Sequence, residues 1–289
     1  LKPTPWLTER HGYDPTCVST GFVIKQGNDG SATSGINEFV WVPVSEPSEM
    51  FGTDSNGNSL GKLYDFGTSS SPKNPPIAYN WTETGGVMSW TSATNYREPD
   101  IVTQYDGSDA TVDSSYFISS IGNITGAQFK AQLQQEFEDM RESVEIYGGF
   151  YIGRYETGGL SGTAVVQKNN TDIGSQNWYV MYSKSKTIAQ GTQGTSSIIW
   201  GCQWDATLRW FQTSTDEDVV NYVTDSTGKG NYSGRLLANG TGSVEEYAVN
   251  NIYDMAGNVW DWTLEAYGPY SRVIRRRQLP QFRFRRSCF

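Results

Sequence analysis

Few side chains in this chain are suited to covalent or acid–base chemistry. Its 289 residues include one histidine, His11, and three cysteines, Cys17, Cys202 and Cys288. A histidine-based zinc site needs more than one imidazole, and these cysteines lack the close spacing of metal thiolates. A Ser-His-acid triad would have to draw on His11, beside the start of the chain. Neither G-x-G-x-x-G nor G-x-x-x-x-G-K-[ST] occurs, so no glycine loop is set to cradle a nucleotide phosphate. Glu156, within GRYETG (Gly153 to Gly158), has no identifiable acid–base partner and reads as a structural carboxylate. Three cysteines cannot all pair internally, and isolated thiols are expected.

Composition explains what must hold the chain together. Ten Trp, 17 Tyr and 12 Phe stand beside only 18% charged residues, with Gly, Ser, Thr and Asn filling much of the rest. That combination describes a loop-rich globular protein with aromatic anchors, neither a disordered chain nor a helical bundle. No run approaches the roughly 18 apolar residues a membrane helix needs, so no membrane insertion is expected. The chain starts at Leu1 without Met, which fits a removed leader or a trimmed end. The formal net charge is −9, yet Ser271 to Phe289 holds seven arginines and no acid. The acidic body would repel a phosphate backbone, so nucleic acid is not an expected partner. Five Asn-x-Ser/Thr sequons (Asn80, Asn123, Asn169, Asn231, Asn239) are no more than this composition produces.

The elements can be placed along the sequence. Residues 1–20 read as an N-terminal extension of a single domain spanning 1–289. Gly21 to Lys25 and Asn37 to Val44 are β-branched and aromatic runs split by turn residues, and predict a hairpin. Phe51 to Tyr79 is rich in Gly, Ser, Asn and Pro and is expected to be irregular, as is the polar stretch from Thr91 to Ile124. Phe129, Leu133, Phe137 and Met140 recur at helical spacing behind Thr125, a potential N-cap, so Thr125 to Tyr147 is the longest expected helix, ended by Gly148-Gly149. Phe150 to Tyr155 follows as a strand. A second helix is expected over Trp178 to Ile188. A third starts near Cys202, with Trp204, Leu208 and Phe211 on one face and Asp205 in a first turn suited to the helix dipole. Thr213 to Gly242 reads as a loop. Asn251 to Arg275 (NIYDMAGNVWDWTLEAYGPYSRVIR) packs a Gly-Asn turn, Trp260, Trp262 and a β-rich run, and predicts a sheet-forming core unit.

Four of these blocks carry a resemblance. NEFVWVPV (Asn37 to Val44), YGGFYIGRYETG (Tyr147 to Gly158), WGCQWDATLRW (Trp200 to Trp210) and NIYDMAGNVWDWT (Asn251 to Thr263) stand in the order of the formylglycine-generating-enzyme-like (sulfatase-modifying factor) branch of the C-type lectin fold. The resemblance implies an α+β fold of small antiparallel sheets, two main helices and long irregular inserts. Fold leaves function open. One branch of the family is a copper-dependent oxidase that acts on a sulfatase cysteine through a cysteine pair near its C-terminus. After GNVWDW this chain has only Cys288, which disfavours that branch. Another branch binds ligands without catalysis, on phage tails and bacterial surfaces, and is often varied by diversity-generating retroelements. This chain looks most like that second group. The expected partner is a host or bacterial surface protein or glycan, and the expected location a phage virion or bacterial surface, with the cytoplasm left open.

The resemblance breaks after Arg275. Diversified relatives continue roughly RVxRGGxYxxSGSxxxAS, whereas this chain reads RRQLPQFRFRRSCF. Permitted codons for Arg276 to Phe289, shifted by one base, encode GGNYRNSGSAAHA, which fits the relatives' pattern. The basic tail at 276–289 is therefore expected to be a frameshifted ending, and the protein to be less stable than an in-frame relative.

Under this resemblance ligand contacts fall to Trp262, Tyr267, Tyr270 and Arg272, since aromatic and arginine side chains offer large contact area at low entropy cost. Asn258 and Asp261 resemble positions near a calcium site in the oxidase branch. Calcium is the one cofactor the resemblance raises, and because it takes six to eight oxygens, backbone carbonyls would supply most of them.

Overall fold

Val40, Trp41 and Val42 are consecutive and all buried, so both faces of strand β2 (Asn37–Pro43) must be covered. The computed structural model, which describes residues 20–26, 36–53, 59–79, 81–84, 87–90, 126–172, 178–190, 192, 194–233, 238–268 and 271–275, shows how. β2 is the middle of a three-stranded antiparallel sheet. β1 (Val23–Gln26) pairs on one side, Val23 opposite Val40, and β9 (Gly149–Gly153) on the other, Phe150 opposite Val42. The expected hairpin is present, and the expected strand after the long helix begins at Gly149.

The region from Phe51 to Tyr79 corrects the expectation of irregular structure. After a short helix α1 (Pro47–Met50), β3 (Phe51–Thr53) pairs with β4 (Ser59–Gly61), and β5 (Leu63–Thr68) pairs with β6 (Ser71–Tyr79). Composition misleads here because the polar residues and prolines sit where they do least harm. β6 belongs to a two-stranded sheet, where a proline without an N–H costs little. Leu63, Tyr64 and Phe66 of β5 supply the buried side. A further pair, β7 (Trp81–Thr84) with β8 (Val87–Trp90), follows.

Helix α2 (Gly126–Tyr147) buries Phe129, Leu133, Phe137 and Val144, one stripe at helical spacing. It ends as expected at Gly148, whose φ of 72° suits a residue without Cβ and whose N–H donates to Val144 O at 2.8 Å. Its proposed cap, Thr125, lies outside the described residues, as do 91–124 and 276–289. Helix α3 (Trp178–Ser185) is shorter than expected, and turns replace its last residues. Helix α4 (Gly201–Gln212) is where the sequence places it. Helix α5 (Glu217–Tyr222) corrects the expected loop: Asp216 accepts from Asp218 N at the N-cap and Tyr222 is buried, but six residues are too few to display a period.

The remaining strands are β10 (Ala248–Val249), β11 (Ile252–Tyr253), β12 (Asp261–Gly268) and β13 (Ser271–Arg275). One main core gathers β2, β5, α2, α3, α4 and β12, with a satellite around Tyr155, Val166 and Tyr253. Its centre is aromatic: Trp178 stacks on Tyr182 at 5.3 Å, and Phe129 meets both edge-on. The molecule is thus α+β, built of helices and small antiparallel sheets.

Candidate functional site

The β12–β13 hairpin carries the residues marked for recognition. Its register runs Asp261 to Arg275, Trp262 to Ile274, Ala266 to Arg272 and Gly268 to Ser271. Two extra residues on β12 between the second and third pairs bulge that strand, which increases local twist. Thr263, Leu264 and Glu265 are all buried there. Leu264 N donates to Ile199 O at 3.0 Å, and Trp178 Nε1 donates to Thr263 O at 2.9 Å. The base of the hairpin is therefore tied to the segment before α4 and to α3.

A buried ion cluster makes the strongest tie. Arg275 Nε and Nη2 donate to Glu265 Oε2 and Oε1 at 2.8 and 2.7 Å, a bidentate pair. Its Nη1 donates to Asp205 Oδ1 on α4 at 3.2 Å, and Tyr64 N donates to Asp205 Oδ2 at 2.8 Å. Thr263 Oγ1 lies 3.1 Å from Glu265 Oε2 and 3.0 Å from Val273 O, so its single proton is shared between them. Asp205 corrects the sequence reading. It is 1% exposed in the body of α4, bound to Arg275 rather than complementing the dipole. Burial pushes its carboxyl up to about 7, Glu265 adds to the rise, and Arg275 and the Tyr64 amide oppose it. Gly201 makes room for the cluster, since a Cβ there would stand 2.1 Å from Glu265 Cδ.

Trp262 is half-buried and packs against the main core, so part of its surface is committed to structure. Tyr267 and Arg272 lie on β12 and β13, flanking the turn. Tyr270 falls outside the described residues.

A second polar centre surrounds Glu156. Asn258, in the left-handed region at φ 53°, is buried, and its Nδ2 donates to Glu156 Oε2. Val259 N donates to Glu156 Oε1 at 3.3 Å. Asp254 Oδ2 accepts from Thr241 Oγ1 at 2.8 Å and Gly242 N at 2.7 Å, while its Oδ1 is buried without a hydrogen-bond partner. Burial holds Glu156 well above the usual carboxylate range, and the charges of Asp261 and Asp254 add to the rise. Burial also raises Asp254. Glu156 thus has hydrogen-bond partners on the segment before β12. Both calcium candidates border this carboxylate: the Asn258 amide nitrogen donates to it, and the charge of Asp261 acts on it. Among the described residues no three His, Cys, Asp or Glu side chains are grouped to hold a metal.

No protein-family model, no curated protein and no solved structure matches this chain. Cys202 is buried in the main core on α4, a position that lends no support to a copper-binding thiol pair, and Cys17 and Cys288 lie outside the described residues. No described helix is long and apolar enough to cross a membrane. Sequence reasoning missed Asp205, Glu265 and Arg275 as a unit, and Asp254 altogether. One signal was available: Asp205 stands four residues after Gly201 and three before Leu208, on the buried side of α4.

Proposed function

We propose that the chain is a non-catalytic binding protein of the C-type lectin fold, formylglycine-generating-enzyme type, that presents the distal half of hairpin β12–β13 to a surface protein or glycan. In this reading it is a recognition protein of a phage virion or bacterial surface, diversified by a retroelement. The observation that carries it is the hairpin's construction. Its base is fixed by the buried Arg275 cluster and by bonds to α3 and the segment before α4, while Tyr267 and Arg272 flank its turn. A fixed base lets the residues at the tip change without loss of the fold.

The test is binding to a panel of whole bacterial cells and isolated surface glycans. Tyr267→Ala and Arg272→Ala should each weaken binding by about 2 kcal/mol, roughly thirtyfold in Kd, with unchanged melting. Wild-type affinity in both variants would move the site off this hairpin.

Calcium belongs to the same proposal in a structural role. The candidates are Asn258 and Asp261, joined by Asp254, whose buried Oδ1 lacks a partner, with backbone carbonyls and water completing the set. Calcium at a hundredfold excess over its Kd should then stabilise the protein by about 2.7 kcal/mol, and Asp254→Asn should abolish that gain. A wild-type melting curve indifferent to millimolar calcium removes the ion from this account.

A further inference from the structure

The Asp205–Arg275–Glu265 cluster holds two carboxylates and one guanidinium, all buried. Fully ionised, it places one uncompensated negative charge in the core. The geometry decides which carboxylate is the weaker partner. Glu265 takes the bidentate pair from Arg275, and Asp205 takes a single contact at 3.2 Å. One proton from solvent on Asp205 brings the cluster to neutrality.

We propose that this cluster is a pH-sensitive latch on the hairpin: a proton on Asp205 tightens β12–β13 against α4, and loss of that proton loosens it. The groups facing Asp205 are few. Arg275 comes from β13 and Glu265 from β12. From β5 comes the Tyr64 amide, whose own ring carries its hydroxyl away to Glu49 O on α1. On α4 itself Arg209 turns outward, stacked over Tyr64 at 4.3 Å and paired with Glu49. The acids at the start of α5, Glu217 and Asp218, are exposed. Among the described residues Arg275 is the cation that acts on Asp205.

The sign follows from linkage. The folded chain keeps the Asp205 proton to about pH 7, whereas the unfolded chain loses it near the ordinary 3.8. The stabilisation is fully present below the lower value, declines as pH rises, and is gone above the upper one. Within that window the folding equilibrium shifts by up to about tenfold per pH unit.

The experiment is hydrogen exchange of the hairpin amides, Leu264 N–H among them, between about pH 5.5 and about pH 8.5, corrected for intrinsic rates. In wild type the opening equilibrium should rise at least tenfold across this range, and Asp205→Asn should flatten the rise. His11→Gln, which removes the chain's one histidine, should retain the rise. Should Asp205→Asn fail to fold, the carbon resonance of the wild-type Asp205 carboxyl decides, with an expected midpoint near 7. A flat wild-type exchange profile overturns the latch, and so does a carboxyl already ionised below about pH 5.

Discussion

Arg275→Ala should cost about 3–5 kcal/mol, a large share of the roughly 5–15 kcal/mol that holds a domain folded. The reason is the company the guanidinium keeps. Removing it strands Glu265 and Asp205 together, both buried, with no cation between them. The cost is that of uncompensated buried charge, and it exceeds any net benefit the ion pairs confer in the intact protein. Arg275→Lys should recover only part of the loss, because an ammonium cannot reproduce the fork that meets both oxygens of Glu265. Urea denaturation of both variants checks the point. A loss below about 1 kcal/mol for Arg275→Ala would mean that water reaches the carboxylates and that the hairpin base is open.

Trp178→Ala should be nearly as damaging, at about 3–5 kcal/mol. The indole is 2% exposed and fills the space between Tyr182, Tyr179 and Phe129. It also satisfies the buried Thr263 carbonyl on β12. Trp178→Phe separates the two roles. It keeps most of the packing and removes the N–H, so its loss should be about 1–3 kcal/mol. Equal melting temperatures for Trp178→Phe and wild type would show that the bond to Thr263 contributes nothing.

These two residues also show where sequence reading stops. Helix α2 was legible because Phe129, Leu133 and Phe137 fall four apart, so local periodicity alone exposes the buried stripe. The β1–β2 hairpin was legible because β-branched runs flank a turn. The β3–β6 pairs were not, since strands made by backbone pairing over polar residues and prolines carry no compositional mark. Recognition positions on β12 and β13 could be named as types, but the partial commitment of Trp262 to the core emerges only from packing. The anchor itself was invisible for a topological reason. Arg275 and Asp205 are 70 residues apart, and no local rule connects a basic tail to an acid within a helix. Asp254 was hidden similarly, because its unpaired oxygen becomes notable only once Thr241 and Gly242 have claimed the other.

The position of Arg275 in the chain also governs how the protein can be made. Synthesis is vectorial, and α4 emerges with Asp205 long before its cation is translated. Glu265 follows and adds a second negative charge to the same space. Until Arg275 is added, closing α4 onto β12 would bury two acid side chains without their guanidinium, and protons would have to take its place.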